Sequence, residues 1–173
     1  MRALVVLTLV AGCATTEEPP GTIAIHPITV RLHQPSEPAD AAQHEADCAA
    51  GKPVGCHAAA LDHYYAHTAA DDVAALERFR IACTAGYAPS CNGVGTMYAE
   101  GRAVPRDEVE AVRWFRAACA SDGSTGCEHL AQAYETGRGV AKDPEAARAA
   151  HARGTCLFEH SVGHDVGPCA AAP

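Results

Sequence analysis

Three pairs of cysteines in this chain share one spacing, with seven residues between the two members of each pair: Cys48 and Cys56, Cys83 and Cys91, and Cys119 and Cys127. The pattern returns every 35 or 36 residues, because the pairs begin at positions 48, 83 and 119. Two cysteines eight positions apart in one helix lie about 12 Å apart along its axis, whereas a disulfide needs Cα atoms within about 7 Å of each other. If each pair is bonded, the chain must reverse direction between its two cysteines.

Turn-forming residues occupy the interval inside each pair, at positions 51–53, 86–89 and 122–124. Glycine, proline, serine and aspartate in these stretches favour a reversal of the chain. We therefore predict that each pair is a disulfide joining the end of one helix to the start of the next. Cys156 and Cys169 are assigned to a fourth disulfide by elimination, and we expect it to pin a C-terminal tail across the end of the fold.

Two successive units share an apolar, aromatic and glycine succession at the spacing of one helix face: Val94, Tyr98 and Gly101, then Leu130, Tyr134 and Gly137. The glycine is typical of a helix C-terminus, and the connection Gly-Arg-x-Val-x-x-Asp that follows supplies an aspartate as the N-cap of the next helix. A two-helix unit of about 36 residues cannot bury its apolar face without neighbours. The sequence therefore predicts an all-α solenoid of stacked helical hairpins, stapled by disulfides.

Three motifs together, the C-x₇-C pair, Tyr-x-x-Gly-x-x-Val-x-x-Asp and the following Ala…Trp-Phe…Ala-Cys, resemble the Sel1-like repeat (SLR) in its cysteine-rich, secreted Hcp type. The resemblance covers roughly residues 39–158. It implies α/α hairpins in a right-handed, tetratricopeptide-like superhelix, each clipped by one disulfide, and a role in binding proteins or peptides. The first unit departs from the pattern, because His63 stands where the later units have tyrosine, and we interpret it as a terminal cap.

The N-terminus carries the features of an export signal. Arg2 gives a basic start, residues 3–10 form an apolar run too short to span a bilayer, and Val-Ala-Gly-Cys13 resembles the bacterial lipobox, in which the cysteine is lipidated. We predict a lipoprotein signal peptide over residues 1–12, a tether over 13–38, repeats over 39–158 and a disulfide-pinned tail over 159–173. Export to an oxidising compartment agrees with persistent disulfides, and Ala14 after Cys13 favours an outer-membrane anchor facing the periplasm or the surface.

The charge balance argues against nucleic acid as a partner. The chain has 13 basic and 21 acidic residues and a formal net charge of -8, whereas a protein that binds phosphates needs clustered lysine and arginine. The same balance leaves the lipid as the predicted membrane contact. No cofactor or metal is expected, because His63 and His67, like His160 and His164, lack a third ligand in the sequence and no H-E-x-x-H motif occurs.

The predicted function is that of a binding scaffold. Five arginines of the first helices form a basic strip that we expect to line the concave side and to bind an acidic or carboxylate-bearing peptide: Arg78, Arg80, Arg113, Arg116 and Arg148. The alternative is that they are solvated and partly paired with nearby glutamates.

Hydrolysis is the second candidate function, because some cysteine-rich members of the resembling family carry a β-lactamase or penicillin-binding label. The chain contains no S-x-x-K, K-T-G, S-D-N or G-x-S-x-G motif. We therefore predict no catalytic residue, and any such activity would follow from the resemblance alone.

Overall fold

The computed structural model describes residues 37–173, and within this range the chain forms seven helices and no strand. The helices are α1 (Pro38–Ala49), α2 (Pro53–Ala66), α3 (Ala69–Thr84), α4 (Ala88–Glu100), α5 (Glu108–Ala120), α6 (Ser124–Thr136) and α7 (Pro144–Ser161). The predicted all-α class is confirmed. The predicted signal peptide, Cys13 and nearly all of the predicted tether lie outside the described residues.

None of the helices between residues 37 and 173 combines the length and the apolar character needed to cross a membrane.

Local signals place the helix ends in the two central connections. The side chains of Asp107 and Asp143 accept hydrogen bonds from backbone N–H groups at the starts of α5 and α7. Gly101 and Gly137, which end α4 and α6, both have a φ of 74°, a left-handed conformation that glycine adopts without a Cβ clash. These caps satisfy backbone groups that a helix terminus leaves open.

Four disulfides join the cysteines in the predicted pairs: Cys48–Cys56, Cys83–Cys91, Cys119–Cys127 and Cys156–Cys169. Their Cα–Cα distances run from 4.2 to 5.7 Å, so the chain does reverse within each of the first three pairs. Each of those three bonds joins the end of α1, α3 or α5 to the start of the following helix. The fourth joins α7 to the tail.

Consecutive helices pack against each other along the stack, and α4 also packs against α6. Small side chains let the helices approach closely; a Cβ on Gly126 in α6 would lie 2.4 Å from the Cβ of Ala118 in α5. Two apolar clusters form the centre of the stack, one around Phe79, Val94 and Met97, the other around Phe115 and Leu130. Alanine supplies much of the remaining core, so tight packing replaces large side chains.

The C-terminal tail has no regular secondary structure after residue 163 and covers the end of the stack. Cys169 is bonded to Cys156, and Ala172 packs against the apolar cluster around Phe115. Arg153 of α7 donates a hydrogen bond to the carbonyl of Ala170. The tail thus takes the outer face that a further helix would cover in a longer repeat array.

Candidate binding groove

In the three hairpins that the first three disulfides close, α1–α2, α3–α4 and α5–α6, the second helices α2, α4 and α6 lie next to one another. Two histidines link them: His57 of α2 lies 2.8 Å from the hydroxyl of Ser90 in α4, and His129 of α6 lies 2.7 Å from the amide oxygen of Asn92 in α4. We call the surface formed by these three helices the inner groove. It contains two adjoining cavities.

The first cavity has a volume of about 320 Å³ and an aromatic lining. His57, Leu61 and Tyr64 of α2 form one wall, and Asn92 and Thr96 of α4 form the other. Phe79 of α3 contributes the floor. An apolar pocket with a few polar groups at its wall is the usual composition of a site for an organic side chain.

The second cavity, about 210 Å³, lies on the other side of Thr96, which belongs to both. Phe115 of α5 and His129 and Gln132 of α6 line it. Its rim also holds charged groups of both signs, namely Glu100, Glu108 and Arg138. The inner groove therefore changes from aromatic to mixed polar along its length.

The two histidines of the inner groove are held in the neutral form. Burial lowers the pKa of His57. Burial also lowers the pKa of His129, against the attraction of Glu128 and with the repulsion of Arg138. Since the ordinary histidine pKa is about 6.5, both imidazoles are uncharged near neutral pH and act as hydrogen-bonding groups within the wall.

Arg102 stiffens one wall of the first cavity from behind. Its guanidinium lies 3.8 Å from the ring centroid of Tyr64 and donates to the carbonyl oxygen of the same residue at 2.6 Å. It also pairs with Asp72 at the start of α3. The hydroxyl of Tyr64 donates to Glu100 at 2.9 Å. Tyr64 is thus fixed from three directions, which pre-forms the cavity before a ligand arrives.

The five arginines of the predicted basic strip lie on α3, α5 and α7, and none of them lines either cavity. The expectation that these arginines line the concave side stays a prediction. In the two cavities, the first helices supply the floor and the second helices supply the walls. The physical reason is that α4 packs against α6, which brings these second helices together.

Each arginine of the strip has a local partner. Arg78 donates to Glu45 at 2.9 Å and Arg113 to Glu110 at 2.7 Å, while Arg148 lies 3.9 Å from Glu145. Arg80 and Arg116 donate to the hydroxyls of Tyr98 and Tyr134 at 2.5 and 3.0 Å. Recognition of an acidic peptide by these residues stays a prediction.

A serine–histidine contact bears on the hydrolase alternative. His57 lies 2.8 Å from the hydroxyl of Ser90, a distance at which a histidine can act as a base toward a nucleophile. Ser90 is fully buried, with 0% of its surface exposed. A substrate cannot reach this hydroxyl, so the contact joins α2 to α4 and does not support hydrolysis.

The fold and the repeated connections agree with a family model. Residues 88–122 and 124–149 match the Sel1 repeat. Two Sel1 repeats therefore lie within residues 88–149. The matched units begin at α4 and at α6, so Cys119–Cys127 joins the end of one Sel1 repeat to the start of the next. No curated protein matches the chain by sequence.

Solved structures of Sel1 repeat proteins share the fold. A Sel1 repeat protein from Oxalobacter formigenes superposes with a TM-score of 0.61 at 20% identity, covering 66% of this chain and 88% of that one. The cysteine rich protein B of Helicobacter pylori gives 0.55 at 21% identity, covering 70% and 89%. A protective antigen of uropathogenic Escherichia coli strains, which displays an SLR fold, gives 0.59 at 21% identity over 74% of this chain and 30% of that chain. The present chain thus spans less than a third of the antigen's length.

Proposed function

We propose that this chain is an exported scaffold, anchored by lipid at the cell envelope, whose Sel1 repeats bind an extended peptide segment of another protein in the inner groove. The observation that carries the proposal is the pair of adjoining cavities that share Thr96 and run across α2, α4 and α6. Repeat solenoids use such extended concave surfaces for protein recognition.

The lining indicates the chemistry of the peptide. An apolar or aromatic side chain fits the first cavity, against Phe79, Tyr64 and Leu61. The amide groups of Asn92 and Gln132 can exchange hydrogen bonds with an extended backbone, which carries both donors and acceptors. In the second cavity, charges of both signs favour a polar side chain over a large apolar one.

Export and anchoring rest on separate observations. Four disulfides are typical of a protein that folds in an oxidising compartment, and they support export. The lipobox-like sequence at Cys13 supports the lipid anchor on the outer membrane. Under this proposal the repeats face the periplasm or the cell surface, where a peptide segment of an envelope protein can reach them.

Selection from a displayed library of random peptides tests where the binding site lies. Peptides enriched on the wild-type chain should lose at least about tenfold in affinity for a Thr96→Arg variant, because the long side chain fills the junction of both cavities. The matched control is Arg113→Ala with Arg116→Ala, which leaves the inner groove intact and should keep wild-type affinity. Loss of affinity in the arginine variant with unchanged affinity in Thr96→Arg would indicate that the peptide binds the arginine strip. Failure to enrich any peptide would contradict the proposal.

A further inference from the structure

The fourth disulfide differs from the other three in its surroundings. Each of the first three contains at least one cysteine that is nearly inaccessible, since Cys56, Cys91 and Cys127 are only 0 to 3% exposed. Cys156 and Cys169 are both partly exposed, and Cys169 belongs to a segment without regular secondary structure. A disulfide is opened by thiolate attack on one of its sulfurs, so access favours this bond as the first to be reduced.

His160 lies beside this disulfide. It follows Cys156 by one turn on α7, and the ligand atoms of Cys156, His160 and Cys169 all lie within 4.8 Å of one another. His160 and Cys169 border a wide cavity of about 550 Å³, which Asp122 and Arg153 also line. The sequence analysis groups His160 with His164 and assigns Cys169 only to the disulfide, because Cys169 lies nine residues further along the chain than His160.

A backbone hydrogen bond favours one tautomer of the neutral His160 imidazole. Nε2 of His160 lies 2.6 Å from the carbonyl oxygen of Gly167. A carbonyl oxygen only accepts, so Nε2 carries the proton and donates, which leaves the lone pair on Nδ1. A hydrogen bond from the second ring nitrogen to a backbone carbonyl is the usual support of a metal-binding histidine.

We propose that Cys156, Cys169 and His160 form a Zn²⁺ site that exists only when their disulfide is reduced. Two thiolates and one imidazole bind zinc at about 2.3 and 2.0 Å, which places the ligand atoms roughly 3.5 to 3.8 Å from one another. The two sulfurs, now bonded to each other, must therefore move apart, while the His160 nitrogen already lies within 4.8 Å of both. Opening the disulfide frees the tail segment to make this small adjustment. A water molecule takes the fourth position, as in zinc sites with three protein ligands.

Formation of the zinc site takes two steps, reduction of the disulfide and binding of the metal. A reducing dithiol passes two electrons and two protons to the Cys156–Cys169 bond and becomes a disulfide itself, leaving two thiols on the protein. Zinc then displaces both thiol protons as it binds the sulfurs and Nδ1 of His160. The site is independent of the inner groove and would link metal binding to the redox state at the C-terminal end of the stack.

The test uses the full chain with Cys13→Ser, so that no other free thiol competes, and a phosphine reductant, which does not bind zinc as a dithiol does. Limited reduction followed by peptide mapping should show Cys156 and Cys169 as the first free thiols. The reduced protein should then bind one Zn²⁺ per chain, and Co²⁺ as a spectroscopic probe should give the charge-transfer absorption of thiolate ligation in a tetrahedral field.

Two variants separate this site from nonspecific binding. His160→Ala should weaken binding of Zn²⁺ by at least about tenfold, whereas the control His164→Ala, which changes an exposed histidine of the same region, should leave it unchanged. Cys156→Ser with Cys169→Ser should abolish the Co²⁺ absorption. Earlier reduction of another pair, absence of the thiolate absorption, or equal affinity in His160→Ala and His164→Ala would each overturn the proposal.

Discussion

One arginine holds three parts of the C-terminal half together. The Nε of Arg153 donates to the carbonyl of Cys119 at 3.1 Å, one Nη donates to Asp122 at 2.8 Å, and the other donates to Ala170 in the tail. The side chain is only 8% exposed, so its charge depends on these partners. The repeat pattern gives no hint of this role, because the equivalent positions one and two periods earlier hold Ala117 and Ile81.

Replacing Arg153 with methionine should lower the free energy of unfolding by about 2 to 3 kcal/mol, because it leaves the carbonyl of Cys119 without its donor and releases the tail. Arg153→Lys should recover part of the loss, since an ammonium can serve fewer of the three acceptors than a guanidinium. Urea denaturation followed by circular dichroism measures both. Wild-type stability in Arg153→Met would show that the three hydrogen bonds of Arg153 contribute nothing to the fold.

His63 makes the first hairpin sensitive to pH. Its Nε2 lies 3.0 Å from Glu45 of α1, and its Nδ1 lies 2.9 Å from Asp71 of α3. Burial alone would lower the pKa of His63, but the hydrogen bonds to Asp71 and Glu45 outweigh it and raise the pKa. A raised folded-state pKa adds stability that is fully present below the unfolded-state pKa of about 6.5 and is lost as the pH rises through the folded-state value.

His63→Gln should therefore lower the melting temperature more at about pH 5.5 than at about pH 8.5, because only the protonated imidazole forms ion pairs with both carboxylates. The comparison of variant and wild type at each pH cancels the opposite effect of His57 and His129, whose pKa values burial lowers. Thermal melting at the two pH values is the measurement. An equal loss at both would mean that His63 is bound through neutral hydrogen bonds only.

At the scale of helices and connections, the sequence predicts best where one residue type has a distinct local role. Asp107 and Asp143 cap helices as expected, and Gly101 and Gly137 end them. The connection between α2 and α3 is much shorter, with two residues against seven in each of the two later connections, yet it keeps a cap at each end. Thr68 caps α3 by accepting from the N–H of Asp71, and α2 ends at His67, whose φ of 58° is left-handed. Residues other than glycine seldom take this conformation, so a histidine at this position does not by itself indicate a helix end.

The inner groove could not be predicted for a different reason. Periodicity marks the buried stripe of each helix, but both helices of a hairpin carry one, and the stripe does not say which helix lies inside the curve. That choice depends on contacts between helices that are not neighbours in sequence, such as His129 with Asn92. The sequence likewise does not indicate the role of Arg102, because its stacking on Tyr64 crosses a repeat boundary.

The central disulfide should stabilise the whole stack. In the chain-entropy model, the loop closed by Cys83 and Cys91 contributes about 2.5 kcal/mol. Cys83→Ala with Cys91→Ala should lower the unfolding free energy by about that amount and speed amide exchange in α3 and α4. Cys156→Ala with Cys169→Ala is the matched comparison and should affect exchange mainly in α7 and the tail. Identical exchange patterns for the two variants would contradict a stack held together by nearest-neighbour contacts.

The whole molecule combines an acidic surface, four disulfides and a repeat scaffold. The formal net charge of -8 has the same sign as nucleic acid and anionic lipid, so the proposed membrane attachment depends on Cys13. The repeats supply an extended surface across α2, α4 and α6. Both properties suit a protein that holds a partner near a membrane.

The lipid anchor predicts the behaviour of one variant. Cys13→Ser should move the protein from the detergent-extracted membrane fraction to the soluble fraction, because the thioether-linked lipid can no longer form. The melting temperature of the repeats should stay at the wild-type value, which serves as the control for folding. Unchanged partition into membranes would contradict the lipoprotein proposal without affecting the groove.

The position of a bound peptide tests the central claim most directly. A peptide selected on the wild-type chain, carrying a photoreactive group, can be cross-linked to the protein and the site located by mass spectrometry. We predict cross-links to the lining of the inner groove, at Leu61, Thr96 and Gln132, and their loss in Thr96→Arg. Cross-links concentrated at Arg113, Arg116 and Arg148 on the first helices would contradict the inner groove as the binding site.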